Sequence, residues 1–157
     1  MLRLFSIFEP SAADLAKLTW KPIQSNMPTP RRYCAGVVAG GQFFVCGGHF
    51  DAALSTVEVY HTEEDTWTTL SPMPTARYGC AAVTMDDKLF VIGGWNNHGR
   101  LYCVEMMDLT TQTWTTLPSM KHKRQGCSAG VIGQYVIVAG GYGGEKTAEL
   151  FDPTTQQ

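Results

Sequence analysis

Three arginines, Arg31, Arg77 and Arg124, recur at intervals of 46 and 47 residues, and three ring-bearing residues, His49, Trp95 and Tyr142, each follow a Gly-Gly pair. A guanidinium fork pairs with carboxylates in two-point geometry and an aromatic ring gives rigid contact area, so these residues suit recognition of a carboxylate-bearing partner. Asn96 and Asn97, next to Trp95, add donors and acceptors in the same stretch. Trp95 stands in a polar loop with no evident core to fill. The arginines have a second reading: a residue present in every interval also suits a tie that each structural unit needs. Glu58, Glu105 and Glu149 recur in the same way and are read as structural. Catalysis has little support, because the chain contains no GxSxG elbow, no P-loop and no HExxH. His49, His98 and His122 are too far apart for a local metal motif and read as solvated loop histidines. A binding module that needs no metal or cofactor is expected, not an enzyme.

The elements that position these residues follow from the same periodicity. Gly-Gly pairs stand at Gly47-Gly48, Gly93-Gly94 and Gly140-Gly141, each after an apolar run: Phe43–Cys46, Leu89–Ile92 and Val136–Ala139. Thirteen residues before each pair is a cysteine (Cys34, Cys80, Cys127), three before that an arginine, and four before that a methionine (Met27, Met73, Met120). A glutamate two residues before a large apolar side chain follows each pair (Glu58/Tyr60, Glu105/Met107, Glu149/Phe151), and Trp67 and Trp114 lie seven residues beyond Tyr60 and Met107. With Trp20, three tryptophans stand 47 residues apart. A period of this length marks a repeat architecture, and short runs bounded by turn residues make each unit a small antiparallel sheet.

Each unit reads as four strands. The first is rich in small residues (Cys34–Val37, Cys80–Val83, Cys127–Val131), the second is the apolar run ending at Gly-Gly, the third alternates apolar and polar residues, and the fourth is the Thr/Trp run at 66–69 and 113–116. The predicted spans are 32–70 and 78–117, with a three-stranded third unit ending near Phe151.

These markers resemble the Kelch repeat: an arginine before the first strand, Gly-Gly after the second, an aromatic ending the third and a tryptophan in the fourth. The resemblance runs from about Trp20 to Gln157, with Met107 standing where an aromatic is usual; a flexible apolar side chain can fill that space. It implies an all-β fold, a partial Kelch-type β-propeller of about three four-stranded antiparallel blades, left open. It also implies that the second-to-third and fourth-to-first connections share one face. Arg31, Arg77 and Arg124 would there meet His49, Trp95, Asn96, Asn97 and Tyr142 to bind a protein or acidic peptide segment. The setting implied is a substrate-recognition module of a ubiquitin-ligase adaptor. The 157 residues contain nothing resembling the BTB or BACK domains of such adaptors, so only the recognition half is expected. An actin-associated structural protein and a fragment of a Kelch-fold enzyme are the alternative readings.

The organisation expected is a lead-in over 1–17, in which Ser11–Leu18 suits two turns of helix or an unstructured stretch, and repeats over 18–157. These divide into an orphan fourth strand at 18–23, repeats at 24–70 and 71–117, and a third at 118–157 without its fourth strand. Three blade equivalents fall short of the usual four to eight, so self-association through the open blade faces is expected. A formal net charge of -2, with 12 Lys+Arg against 14 Asp+Glu, gives no broad basic face for nucleic acid or acidic membrane. Apolar runs are strand-length, far below the roughly 20 residues of a membrane span, and the start is weak as a secretory signal; a cytoplasmic location is expected. Cys34, Cys80 and Cys127, at one site in successive units, read as small buried hydrophobes.

Overall fold

The structure is a computed structural model, and residues 20–155 are described. They contain no helix. Blade 1 is formed by β1 (Ala35–Ala39), β2 (Gln42–Cys46), β3 (Val57–His61) and β4 (Thr66–Thr69), hydrogen-bonded in that order. Blade 2 contains β5 (Ala81–Met85), β6 (Lys88–Ile92), β9 (Val104–Asp108) and β10 (Thr113–Leu117). A separate hairpin, β7 (Trp95–Asn96) with β8 (Gly99–Arg100), stands in its second-to-third connection. Blade 3 has β11 (Ser128–Ile132), β12 (Tyr135–Ala139) and β13 (Ala148–Phe151). Every pairing is antiparallel. The expected all-β, open array of Kelch-type blades is therefore the architecture observed. The first strand-to-strand turn shows the local chemistry: Gly40 and Gly41 both take positive φ (55° and 76°), as a two-residue turn matched to strand twist requires.

Blades stack face to face, with β5 packed beside both β1 and β11. Phe44, Cys46, Val57 and Val59 of blade 1 pack with Cys80, Leu89, Val91 and Met107 of blade 2. Val83, Phe90, Ile92 and Val104 on the other side of blade 2 pack with Val136 and Val138 of blade 3. This explains the sequence of the second strands. Strand β6 is covered on both faces, so Leu89, Phe90, Val91 and Ile92 are all buried, each contributing roughly 1.5–3 kcal/mol. Strand β12 is covered on one face, and only Val136 and Val138 are buried. Met107 takes the predicted aromatic position, fully buried and in register with Trp114.

One expectation is corrected. Of the cysteines read as buried, Cys80 is buried, Cys127 is half-buried and Cys34 is exposed, because Cys80 and Cys127 each face the preceding blade whereas Cys34 faces the uncovered side of blade 1. Burial pushes the Cys80 thiol up to about 12, and it raises Cys46 as well. The expected orphan fourth strand at 18–23 has no partner strand within the single chain among the described residues. Residues 18 and 19 lie outside the described residues, as does the 1–17 lead-in. Trp20 to Ile23 form no strand, and Trp20 is 103% exposed. A fourth strand needs the free edge of a third; β4 already occupies that edge of β3, and the free edge of β13 is two blades away.

Candidate functional site

The recurrent arginines lie under the blade connections, where the chain must turn inward and many carbonyls point the same way. Arg77 sends Nη2 to Glu105 Oε2 at 2.8 Å, while Nη1 donates to the carbonyls of Gly93 (3.0 Å) and Cys103 (3.2 Å) and Nε to Thr75 (3.2 Å). Arg31 repeats the arrangement with Glu58 (2.8 Å) and the Gly47 carbonyl (2.8 Å). Arg124 does so with Glu149 (2.9 Å) and the carbonyls of Gly140, Gly144 and Thr147 (2.8, 3.0 and 2.9 Å). All three arginine side chains have no solvent exposure. They are blade ties, with no group left to offer a ligand. This corrects the expectation that Arg31, Arg77 and Arg124 would form the recognition surface: a buried guanidinium must be paired, and the recurrent glutamates are its partners.

The Gly-Gly pairs are part of the same device. Gly47 and Gly93 have φ of +60°, and a Cβ on Gly93 would lie 2.6 Å from the Arg124 carbonyl oxygen. The next glycine donates to that carbonyl: Gly94 N to Arg124 O at 2.7 Å, and Gly48 N to Arg77 O at 2.9 Å. All three Gly-Gly pairs therefore accept from their own blade's arginine, and the first two donate to the backbone of the next blade.

The residue immediately after each arginine emerges on the loop face. Isolated bridges pair Arg32 with His49, Tyr78 with Trp95 and Gln125 with Tyr142, so the residues following Gly-Gly do reach this face, beside the arginines' neighbours. The His49 ring stands edge-on to Tyr78 with centroids 5.0 Å apart, and its Nδ1 is 3.2 Å from Arg32 Nη2. Trp95 is half-buried: its ring lies under Arg100, whose guanidinium carbon is 5.7 Å from the ring centroid, and it folds back onto its own hairpin. Asn96 is half-buried, with its side-chain oxygen accepting from His98 N (2.9 Å), and Asn97 is exposed at the tip. Tyr142 is 66% exposed. His49, His98 and His122 lie on three different connections, and His122 contacts Glu149 (3.2 Å).

Tyr33 is a further exposed ring on this face, one that no motif in the sequence marks. It occupies the register position of Gly79 and Gly126, and all three have positive φ (56°, 60° and 67°). Their backbones are linked, Gly79 N donating to Tyr33 O and Gly126 N to Gly79 O, both at 2.7 Å. A tyrosine in this conformation is a backbone outlier of the kind that gathers at ligand sites. Its ring is 66% exposed and tilted against Tyr78, with centroids 6.2 Å apart.

With the buried pairs set aside, charge separates between the two faces. The second-to-third and fourth-to-first connections carry Arg32, Arg100, Lys121, Lys123 and Lys146 against Asp51 and Glu145. The strand-to-strand turns at the opposite end carry Glu63, Glu64, Asp65, Asp86, Asp87, Asp108 and Asp152 against Lys88. Lys123 Nζ lies 5.7 Å from the Tyr102 ring centroid, a second cation held over an aromatic ring. On the loop face the Glu145 carboxyl is held below its usual range by the Gly143 amide, with Arg100 adding to this. At the other end the Lys88 ammonium and the amides of Thr111 and Thr110 hold Asp108 down at about 2.

The sequence model of one family, described as the KLHDC2/KLHL20/DRC7 Kelch-repeats domain, matches residues 12–157. That span takes in all three blades, their arginine–glutamate ties and the loop face, and by it the chain belongs to the Kelch-repeat family.

Proposed function

We propose that this chain is a protein-interaction module whose loop face binds an acidic peptide segment of a partner protein. The observation that carries the reading is the segregation of charge: unpaired cations stand among exposed rings on the loop face, and carboxylates dominate the opposite one. Such a face attracts an acidic segment by long-range field and holds it through guanidinium–carboxylate contacts beside rigid rings. The contact residues are Arg32, Tyr33, His49, Tyr78, Trp95, Asn97, Arg100 and Tyr142. Arg31, Arg77 and Arg124 act only by holding the connections in place. Recognition of a substrate for a ubiquitin-ligase adaptor in the cytoplasm is one use of such a face; self-association through the open blade faces is proposed separately and does not rest on it.

Calorimetric titration with a panel of Asp- and Glu-bearing peptides tests it. One charge-assisted contact is worth about 1.5–3 kcal/mol, so Arg100→Ala weakens binding about tenfold or more, while Lys88→Ala on the opposite face leaves it unchanged. Equal affinity in both variants, or no binding by the unmodified chain, overturns the reading.

A further inference from the structure

Among the described residues blade 3 has three strands where the other two blades have four. In blades 1 and 2 a Thr/Trp strand pairs with the third strand, placing Trp67 opposite Tyr60 and Trp114 opposite Met107. The outer edge of β13 has no partner strand among the described residues. Between blades 2 and 3, beside that edge, lies a cavity of about 300 Å³ lined by Ile92, Val104, Pro118, Met120, Leu150 and Phe151. Between blades 1 and 2 the Trp114 indole fills this position, donating Nε1 to the Ser71 carbonyl at 3.0 Å, and Pro118 is the register equivalent of Ser71.

The chain carries a segment that fits. Thr19-Trp20-Lys21-Pro22-Ile23 aligns with Thr66-Trp67-Thr68-Thr69-Leu70 and Thr113-Trp114-Thr115-Thr116-Leu117. Its proline is at a permitted place. Leu70 N donates to Val57 O (2.9 Å), so by the antiparallel alternation Thr68 and Thr66 face inward in the ladder and the Thr69 amide faces out. Pro22, at the Thr69 position, gives up only an amide that points away from the sheet.

The segment cannot reach β13 of its own chain. Ser25 is anchored to Asp65 of blade 1, its hydroxyl 2.9 Å from Oδ1. Five residues from Ser25 back to Trp20 span at most about 17 Å, whereas β13 lies beyond two sheet-to-sheet spacings of about 10 Å each. A second copy, with its blade 1 stacked on this blade 3, brings Trp20 within one spacing.

The uncovered faces match for that stacking. Blade 1 offers the exposed Cys34, Gly36 and Phe43, which are the register equivalents of Cys80, Ala82 and Leu89 in the existing blade 1–blade 2 interface, while Val45, the equivalent of Val91, is already buried. Blade 3 offers Ile137 and Leu150, the equivalents of Phe44 and Val59. One atom in blade 1 awaits the same event. Trp67 Nε1 is buried without a hydrogen-bond partner among the described residues, and the carbonyl equivalent to that of Ser71 belongs to Gln24, which follows the unseated segment.

We propose that two copies of this chain associate by strand exchange, the Trp20–Ile23 segment of each adding to β13 of the other. Performed reciprocally, this closes a two-fold ring of six blades, within the usual four to eight. Each Trp20 then faces Phe151 and donates toward Pro118 of the other copy, and each Gln24 carbonyl reaches its own Trp67. This association does not depend on the loop face binding a peptide.

The test uses the full 157-residue chain in light scattering and hydrogen exchange. The expected result is twice the chain mass and a Leu150 amide that exchanges at least tenfold more slowly than in Trp20→Asp, which runs as a folded monomer. A Lys21→Cys chain mixed with a Leu150→Cys chain gives a disulfide-linked pair that needs both substitutions, since ladder partners have Cα atoms about 5.5 Å apart. A monomer at every concentration overturns the proposal. So does a dimer that survives Trp20→Asp with Leu150 exchange unchanged.

Discussion

Arg77 Nη2 and Glu105 Oε2 are 2.8 Å apart, and neither side chain is more than 2% exposed. The pair joins the connection entering blade 2 to the third strand of that blade, and the Thr75 hydroxyl also donates to the Glu105 carboxylate. Its geometry decides what the recurrent arginine does.

The first prediction follows from that burial. Arg77→Ala leaves a buried carboxylate without its partner, and removing one member of such a pair costs about 3–5 kcal/mol. Urea denaturation should show a loss of that order, with the affinity of the folded fraction for acidic peptides unchanged. Replacing Arg77 and Glu105 together by apolar residues should cost less than either single change.

How far the sequence could be read depended on which neighbours each residue needed. The blades were legible because strand period, Gly-Gly turns and tryptophans each lie within a single unit and recur from one unit to the next. The role of the arginines required pairing them with glutamates 25 to 28 residues later, and both sets recur equally, which was the available signal. Charge segregation was hidden, since Lys123 and Glu63 are assigned to opposite faces only once topology places their connections. Cys34 and Cys80 share a register position, but burial comes from the adjacent blade. Tyr33 could have been found by aligning it with Gly79 and Gly126 and asking why one repeat gives up glycine.

The second prediction uses that departure. Tyr33→Gly relieves a left-handed tyrosine costing roughly 1–2 kcal/mol but adds chain freedom to the unfolded state worth about 0.5–1 kcal/mol. The net expectation is stabilisation of up to about 1 kcal/mol, measured by chemical denaturation. Peptide affinity should fall in the same variant, because the exposed ring is gone. A destabilised variant with full affinity would show Tyr33 to be a packing residue.

The third prediction separates conformational from steric demand at glycine. Gly93→Ala meets both a positive φ and the Arg124 carbonyl oxygen at 2.6 Å, with Met120 Cε at 3.2 Å. Gly40→Ala meets a positive φ of 55° and nothing within 4 Å. Gly40→Ala should cost about 1 kcal/mol. Gly93→Ala should cost clearly more, because a backbone carbonyl that anchors the next blade has to shift. Equal melting temperatures for the two variants would show that the Gly93 turn is not held against Arg124.

The last prediction concerns acid. Lys88 Nζ is 2.7 Å from Asp108 Oδ2, and Asp108 Oδ1 accepts from the amides of Thr111 and Thr110 at 2.9 and 3.0 Å. These contacts bring the Asp108 carboxyl from 3.8 to about 2. A carboxylate with a depressed folded-state pKa adds stability that is complete above its unfolded value and disappears as pH falls through the folded one. The Asp108 share should therefore be intact at pH 5 and decline between about pH 4 and pH 2. Lys88→Met removes the largest cause, so the Asp108 titration midpoint followed by carboxyl-carbon NMR should move up toward 3.8, with the two threonine amides still holding it somewhat below. Asp108→Asn should flatten this part of the stability–pH curve. The pair is partly exposed, 39% for Lys88 and 29% for Asp108, so the shift should shrink in high salt. An Asp108 midpoint that stays near 2 in Lys88→Met would assign the depression to the turn amides instead of the ion pair.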